Sequence, residues 1–324
     1  PTQDGAADAA TFLDKATGLF AAADTLLLPY ADPDLPALER HRMADRFAQA
    51  LDTSARVAKD LETQDTVLTW PGSGYADAGM LETIAESGGD TVLLRQDALP
   101  SLPADGTNPV VDLVTPSGSL KGLVADPGLT GSGPGGSRST LQTRQRFLAE
   151  TALLAMRSGP PTTLRRVVAA FPRYWDPGRS GGGLFDVAAR TPWLSQISVG
   201  ALLSQTPSAY GGQITYPAAE RRRELDAQHI EQLRAYDEAA AVHLDLLTGD
   251  GRAHAQAEHR SMFLRGASTA WRRHPERGAE VLTTVTADLE TERNEIRVIA
   301  PTVVTLSSNT GRFPVTIDNN LRRE

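Results

Sequence analysis

The chain has 324 residues and a formal net charge of −8, with 40% hydrophobic residues and a mean hydropathy of −0.28, values that fit a soluble globular protein of two domains. The acidic balance argues against nucleic-acid binding, which needs a basic surface to neutralise phosphate, and no apolar run approaches the roughly 18–20 residues of a membrane span. Zero cysteines exclude disulfides, thiolate catalysis and cysteine-ligated metal centres.

The chain opens on Pro1 with no initiator Met, which reads as a processing or design boundary. Its basic residues are Arg apart from Lys15, Lys59 and Lys121, a bias that points to a GC-rich host. In chain order, a helix is predicted from Ala6 to about Ala23, followed by a buried strand in the apolar run Thr25–Pro29. A long helix over Leu35–Leu61 leads to a strand at Thr66–Trp70. The pattern continues with a helix at Asp77–Glu86 and a strand at Thr91–Arg95. Strands at Pro109–Val114 and Leu120–Ala125 flank the turn residues Pro116 to Gly118, so they form an antiparallel hairpin. A helix at Leu141–Met156 and a strand at Val167–Phe171 follow. Helices alternating with short strands predict an α/β fold, a (β/α) barrel that is either incomplete or opened by strands upstream of Pro1.

Beyond about residue 215 the period changes. His229, Leu233, Tyr236, Ala240, His243 and Leu247 recur at alternating intervals of four and three, one stripe of a long helix. Helices at Ala253–Trp271 and Pro275–Glu292 come next, then a β-hairpin from Arg297–Leu306 and Phe313–Ile317. The expected organisation is a barrel over 1–215, a helical segment over 216–295 and the hairpin of a β-domain over 296–324.

The chemistry-bearing motifs are sparse. Gly131 to Gly136 spell GxGxxG, but the run begins six residues after the strand and lacks a ribose-binding acid, so it reads as a surface loop and not a dinucleotide fingerprint. The spacing of the six His defines no metal site: His254 and His259 sit about 140° apart on a helix, and His229 and His243 lie on the apolar stripe as interhelical hydrogen-bonding residues. HExxH and GxSxG are absent. Polar residues gather instead at predicted strand ends, where α/β barrels build their sites: Asp32 and Asp34, Trp70, Arg95 and Asp97, Asp126, then Arg173, Trp175 and Asp176. As a set they form a candidate sugar-binding rim. Taken singly, each has a structural alternative, such as Asp34 capping the helix that begins at Leu35.

Two stretches resemble polysaccharide deacetylases of the NodB type. LPYADPDLPAL from Leu28 is similar to that family's histidine motif, and WPGSGYADAGMLETIAESGGDTVLL from Trp70 to its arginine motif and the helix and strand that follow. Leu28 and Asp32 stand where the resemblance places metal-binding histidines, and Trp70 stands in place of the arginine. Leucine ligates no metal, so activation of a metal-bound water does not carry over and no cofactor is expected. Over most of its length, through motifs including GLVADPGL, FPRYWDP, RTPWL and VTLSSNTGRFPVTIDNNL, the chain also resembles an uncharacterised actinobacterial envelope family. Members of that family are exported and commonly encoded beside the MurJ-type lipid II flippase. That resemblance implies an extracytoplasmic, membrane-anchored setting, a link to peptidoglycan assembly, and matching residues at Asp32, Asp34, Trp70, Asp126, Glu150, Arg173, Trp175, Asp176 and Trp193. The expected function is non-catalytic binding of a glycan, a lipid-linked precursor, or a flippase or synthase partner. The alternatives are a metal-independent hydrolase, with Asp32 or Asp34 paired with Asp176 or Glu150, and a structural scaffold.

Overall fold

The computed structural model describes residues 3–22, 25–61, 63, 67–102, 108–130, 140–157, 164–171, 173, 182–299 and 316–319. It divides into two compact units, one formed by residues 1–30 and 34–224, the other by residues 31–33 and 225–324.

The first unit is mixed α/β. It begins with α1 (Gln3–Ala22), which turns Phe12, Leu13 and Leu19 outward. The long helix expected at 35–61 is two helices, α2 (Leu35–Arg40) and α3 (Phe47–Asp60), joined by a 3₁₀ turn at Ala44–Arg46. The break is a C-terminal cap: Arg42 takes a left-handed conformation (φ 58°) and the Met43 amide returns to the Leu38 carbonyl at 2.8 Å. With no Gly or Pro at the break, composition does not mark it.

A five-stranded sheet follows. Its strands are β1 (Leu68–Thr69), β2 (Thr91–Arg95), β3 (Val110–Thr115), β4 (Gly118–Ala125) and β5 (Ser208–Tyr210), in the order β1-β2-β4-β3-β5. The β3–β4 pair is the antiparallel hairpin read from the turn residues, while every other pairing is parallel. The strands expected at 25–29 and 167–171 shrink to single parallel bridges, Leu27 to Val67 and Val168 to Ala125.

The connections are helical: α4 (Ala78–Glu86), capped by the Asp77 carboxylate accepting from the Met80 amide at 3.0 Å, then α5 (Pro127–Thr130), α6 (Thr140–Met156), α7 (Gly182–Arg190), α8 (Val199–Leu203) and, after β5, α9 (Ala218–Arg221). Both faces of the sheet are covered at its centre, where β2 and the second half of β4 are buried almost continuously. On one face Val92, Leu94, Val111, Leu113 and Leu120 pack against Leu35, Phe47, Met80 and Ile84 from the helices. On the other, Leu68, Leu93, Val110 and Leu123 meet Leu202 and Leu203. Each such side chain, fully buried, contributes about 1.5–3 kcal/mol.

The second unit is helical. The Asp226 carboxylate caps α10 (Ala227–Asp245) by accepting from the His229 amide at 2.8 Å, and α11 (Gly249–Gly266) and α12 (Pro275–Asn294) pack with it. The predicted stripe faces inward, with His229, Leu233, Tyr236, Ala240, His243 and Leu247 all buried. Ring nitrogen Nε2 of His229 lies 2.8 Å from the Gly266 carbonyl, the interhelical role expected of it. Strands β6 (Ile296–Ile299) and β7 (Thr316–Asn319) pair antiparallel. Most of the predicted hairpin, and the GxGxxG run, lie outside the described residues.

Candidate functional site

The C-terminal ends of the parallel strands in the first unit hold several of the predicted rim residues. Trp70 leaves β1, and its carbonyl accepts a hydrogen bond from the guanidinium of Arg173, 103 residues away in sequence. The same guanidinium lies over the indole, with Cζ 4.7 Å from the ring centroid, a cation–π stack that couples the ends of two strand positions.

One strand further along, Arg95 ends β2 and grips Asp97 with two hydrogen bonds of 2.9 and 3.0 Å. Tyr75 donates its phenol to the same carboxylate at 2.7 Å, and Arg95 Cζ sits 5.3 Å from the Tyr75 ring. The turn in WPGSGY makes this approach possible. Gly74 adopts φ +79°, and a Cβ there would lie 2.7 Å from Arg95 Cγ. The Gly74 amide closes the turn on the Pro71 carbonyl at 2.7 Å, and the Arg95 amide ties the turn to β2 through the Gly74 carbonyl at 2.8 Å. Burial raises the proton affinity of the Asp97 carboxylate, but the hydrogen bonds from Arg95 and Tyr75 overcome it and leave Asp97 below its ordinary value. Burial, then the bond to Asp97, pushes the Tyr75 phenol up.

Asp126 follows β4. Its carboxylate accepts from the amides of Gly128 (2.9 Å) and Leu129 (3.1 Å), and its own amide reaches the Val168 carbonyl at 2.9 Å. It is therefore engaged in starting α5. Glu150, partly buried on α6, approaches the same turn: a Cβ on Gly128 would meet Glu150 Oε2 at 3.1 Å and Asp126 Oδ1 at 3.2 Å. A shallow depression beside Asp126 is lined also by Gln96, Asn108 and Arg166.

Other sequence candidates go elsewhere. Asp32 belongs to the second unit. In left-handed conformation (φ 51°) it accepts from the Thr269 hydroxyl at 2.5 Å through its side chain and from the Thr269 amide at 2.9 Å through its carbonyl. Asp34 is completely buried at the N-cap position just before α2, but its side chain makes no capping bond to that helix. Trp193 donates to the Thr151 hydroxyl at 3.2 Å. Trp175 and Asp176 lie outside the described residues. No spacing in the sequence marks Tyr75, or Glu220, whose buried carboxylate accepts from Ser73 of the same glycine-rich turn. Among the described residues no three His, Asp or Glu side chains are placed to hold a metal ion, and no helix is long and apolar enough to cross a membrane.

Comparison with known proteins adds a fold and a family. The chain is similar in structure to the novel α-amylase AmyC from Thermotoga maritima, with a TM-score of 0.56 and 10% sequence identity over 81% of this chain and 66% of the amylase. At that identity the likeness is one of fold alone, and the structural neighbour is an amylase and not a deacetylase of the kind the motifs resemble. No curated protein matches the chain. Residues 6–323 match the family of unknown function DUF6049, and the chain belongs to that family.

Proposed function

We propose that this protein is a non-catalytic, extracytoplasmic cell-envelope module that binds a glycan, or the glycan portion of a lipid-linked precursor, on the strand-end rim of a barrel-derived sheet. The barrel reading is supported by strand order. Leu27, β1, β2, β4 and Val168 are successive parallel neighbours that advance in chain order without reversal, as in a (β/α) barrel, whose sites lie at strand C-termini. A doubly wound sheet would reverse direction at a switch point. The fold shared with an amylase is in keeping with this reading. Export and a flippase or synthase partner rest on the motif resemblance.

The observation that carries the binding reading is the pair of arginine–aromatic stacks, Arg173 on Trp70 and Arg95 on Tyr75, beside carboxylates already committed to protein partners. Stacked guanidiniums present planar N–H donors suited to sugar hydroxyls, carboxylates or phosphates. Asp97 is tied to Arg95 and Tyr75, and Asp126 to two backbone amides. Isothermal titration with muropeptides and a lipid II analogue tests the proposal. Saturable binding that weakens in Trp70→Ala, with no release of sugar or acetate, is expected. Absence of binding together with measurable hydrolysis by the wild type overturns it.

One observation favours a second reading, a metal-independent hydrolase. Asp126 and Glu150 converge on Gly128, within the separation of about 10 Å that paired-carboxylate hydrolysis requires. Under that reading Glu150→Gln abolishes cleavage of an oligosaccharide. If the wild type cleaves none, the pair is structural.

A further inference from the structure

A chain of four titratable groups crosses the helical unit, hydrogen-bonded from Tyr236 through His259 to His243 and ending in a charge contact between His243 and Glu292, and the rim reading does not use it. Tyr236 Oη lies 3.1 Å from His259 Nδ1, His259 Nε2 lies 2.9 Å from His243 Nδ1, and His243 Nε2 lies 3.3 Å from a Glu292 carboxylate oxygen. The two imidazoles meet edge to face with centroids 5.1 Å apart. Tyr236 and His243 sit on α10, His259 on α11 and Glu292 on α12, so all three helices are tied through His259 and His243. The chain runs from a buried phenol, Tyr236 being 2% exposed, to a carboxylate whose side chain is 59% exposed. It borders a cavity of about 1030 Å³ whose apolar lining includes Met262 of α11 and Val285 and Leu289 of α12.

The neutral chain has one consistent proton order. Tyr236 donates to His259 Nδ1, His259 Nε2–H donates to His243 Nδ1, and His243 Nε2–H donates to the Glu292 carboxylate. A first proton is absorbed by reversing the link between the imidazoles: His243 carries protons on both nitrogens, His259 shifts its proton to Nδ1, and the Tyr236 oxygen becomes the acceptor. A second proton leaves His243 Nδ1–H facing His259 Nε2–H, with no acceptor between them. We propose that this chain is a proton-operated latch that holds α11 against α10 and α12, closed with zero or one proton and released by the second.

The surroundings support that behaviour. Burial holds the His259 imidazole below its ordinary value, and the facing His243 adds to the effect, against an opposing pull from Glu258. Burial, then Asp237 on α10 and Glu258 on α11, pushes the Tyr236 phenol up, so the phenol stays protonated and is no nucleophile. His254 and Arg265 of α11, Asp288 of α12 and Glu295 also face the cavity. His254 makes its own contact with Glu258 at 3.3 Å.

The sign follows from linkage. The released helix binds a proton at the His259 imidazole, ordinarily near 6.5, more readily than the closed one does, so closure weakens as pH falls through that range. One proton refused by the closed state favours release about thirtyfold between pH 7.5 and pH 5.

Hydrogen–deuterium exchange of the intact chain, corrected for the chemical exchange rate at each pH, tests the latch. On going from pH 7.5 to 5, amides of residues 249–266 are expected to exchange roughly ten- to thirtyfold faster, while those of β2 and β4 do not change. His259→Gln removes the second proton site and abolishes this response. Glu292→Gln, a change at an exposed position, replaces the carboxylate that faces His243 Nε2 by a neutral group and is expected to move release to higher pH. Equal protection of α11 at both pH values overturns the proposal. So does a wild-type response retained in His259→Gln, or a Glu292→Gln midpoint that stays put or falls.

Discussion

Replacing Asp32 by Ala separates a ligand-facing role from a structural one. In the structure its carboxylate accepts the Thr269 hydroxyl at 2.5 Å, and Thr269 is 5% exposed. Deletion therefore leaves a buried hydroxyl without that acceptor. A hydrogen bond to a charged group contributes about 1.5–3 kcal/mol net, and the partial exposure of Asp32 argues for the lower half of that range. The backbone adds to the cost, because Asp32 is left-handed at φ 51°, a conformation Asp and Asn tolerate and Ala resists by roughly 1 kcal/mol. The expected loss is about 2–3 kcal/mol, confined to the second unit. Asp32→Asn keeps both an acceptor and the left-handed tolerance, so it is expected to lose less than half as much. Two units need not unfold together, so the measurement is urea-dependent hydrogen exchange in the segment from Thr269 to His274, with muropeptide titration alongside. If Asp32→Ala keeps full stability but loses glycan binding, the clasp assignment is refuted and Asp32 returns to the rim.

Three further outcomes follow from packing and charge. Gly122→Ala places a Cβ 2.6 Å from Val111 Cγ2 and 2.9 Å from Leu113 Cδ1, both in the sheet core. It is expected to cost about 1–3 kcal/mol by overpacking, and an unchanged calorimetric Tm would show that β3 and β4 part easily. Burial, then the nearby Asp77 carboxylate, raises Glu39 against the pull of Arg40. Its ionised form therefore opposes folding at neutral pH, and Glu39→Gln raises the urea midpoint at pH 7.5 with a benefit that fades as pH falls to 4. Asp97 is depressed, so its contribution is present above the ordinary carboxylate value of about 3.9 and is lost as pH falls through its folded value. Asp97→Asn removes that part of the acid limb, by less than about 1 kcal/mol because the side chain is 47% exposed. A wild-type acid profile in the variant would contradict the assignment.

Periodicity makes the long elements legible. The four-and-three stripe from His229 to Leu247 gives α10 and its buried face, and the turn residues between Val114 and Leu120 give the β3–β4 hairpin. Features set by tertiary contacts are not legible in this way. Arg42 ends α2 in a conformation that no local Gly announces. Ser208–Tyr210 becomes an edge strand by pairing with β3, although its own side chains are half-buried to exposed. The rim shows the same division. Strand ends locate Trp70, Arg95 and Asp126, yet the stack of Arg173 on Trp70 spans 103 residues of sequence and has no local signature. The one available pointer to Tyr75 is the glycine beside it, since a left-handed Gly74 brings the chain close to Arg95.

Position at a strand end and availability for chemistry are separate properties, and this rim shows why. A carboxylate that must transfer a proton or attack a sugar needs an oxygen turned toward the ligand. Asp126 Oδ1 is occupied by two backbone amides that begin α5, Asp97 is held by a guanidinium and a phenol, and Asp32 fastens a turn in the second unit. Glu150 differs, because it approaches Asp126 from the middle of α6 and its carboxylate is not engaged in capping among the described contacts. Among the described residues, the distinction between binder and hydrolase therefore narrows to that side chain. If Glu150→Gln alters stability but not the affinity for a glycan, its contact across Gly128 is packing, and the proposed binding falls, among the described residues, to the arginine–aromatic stacks.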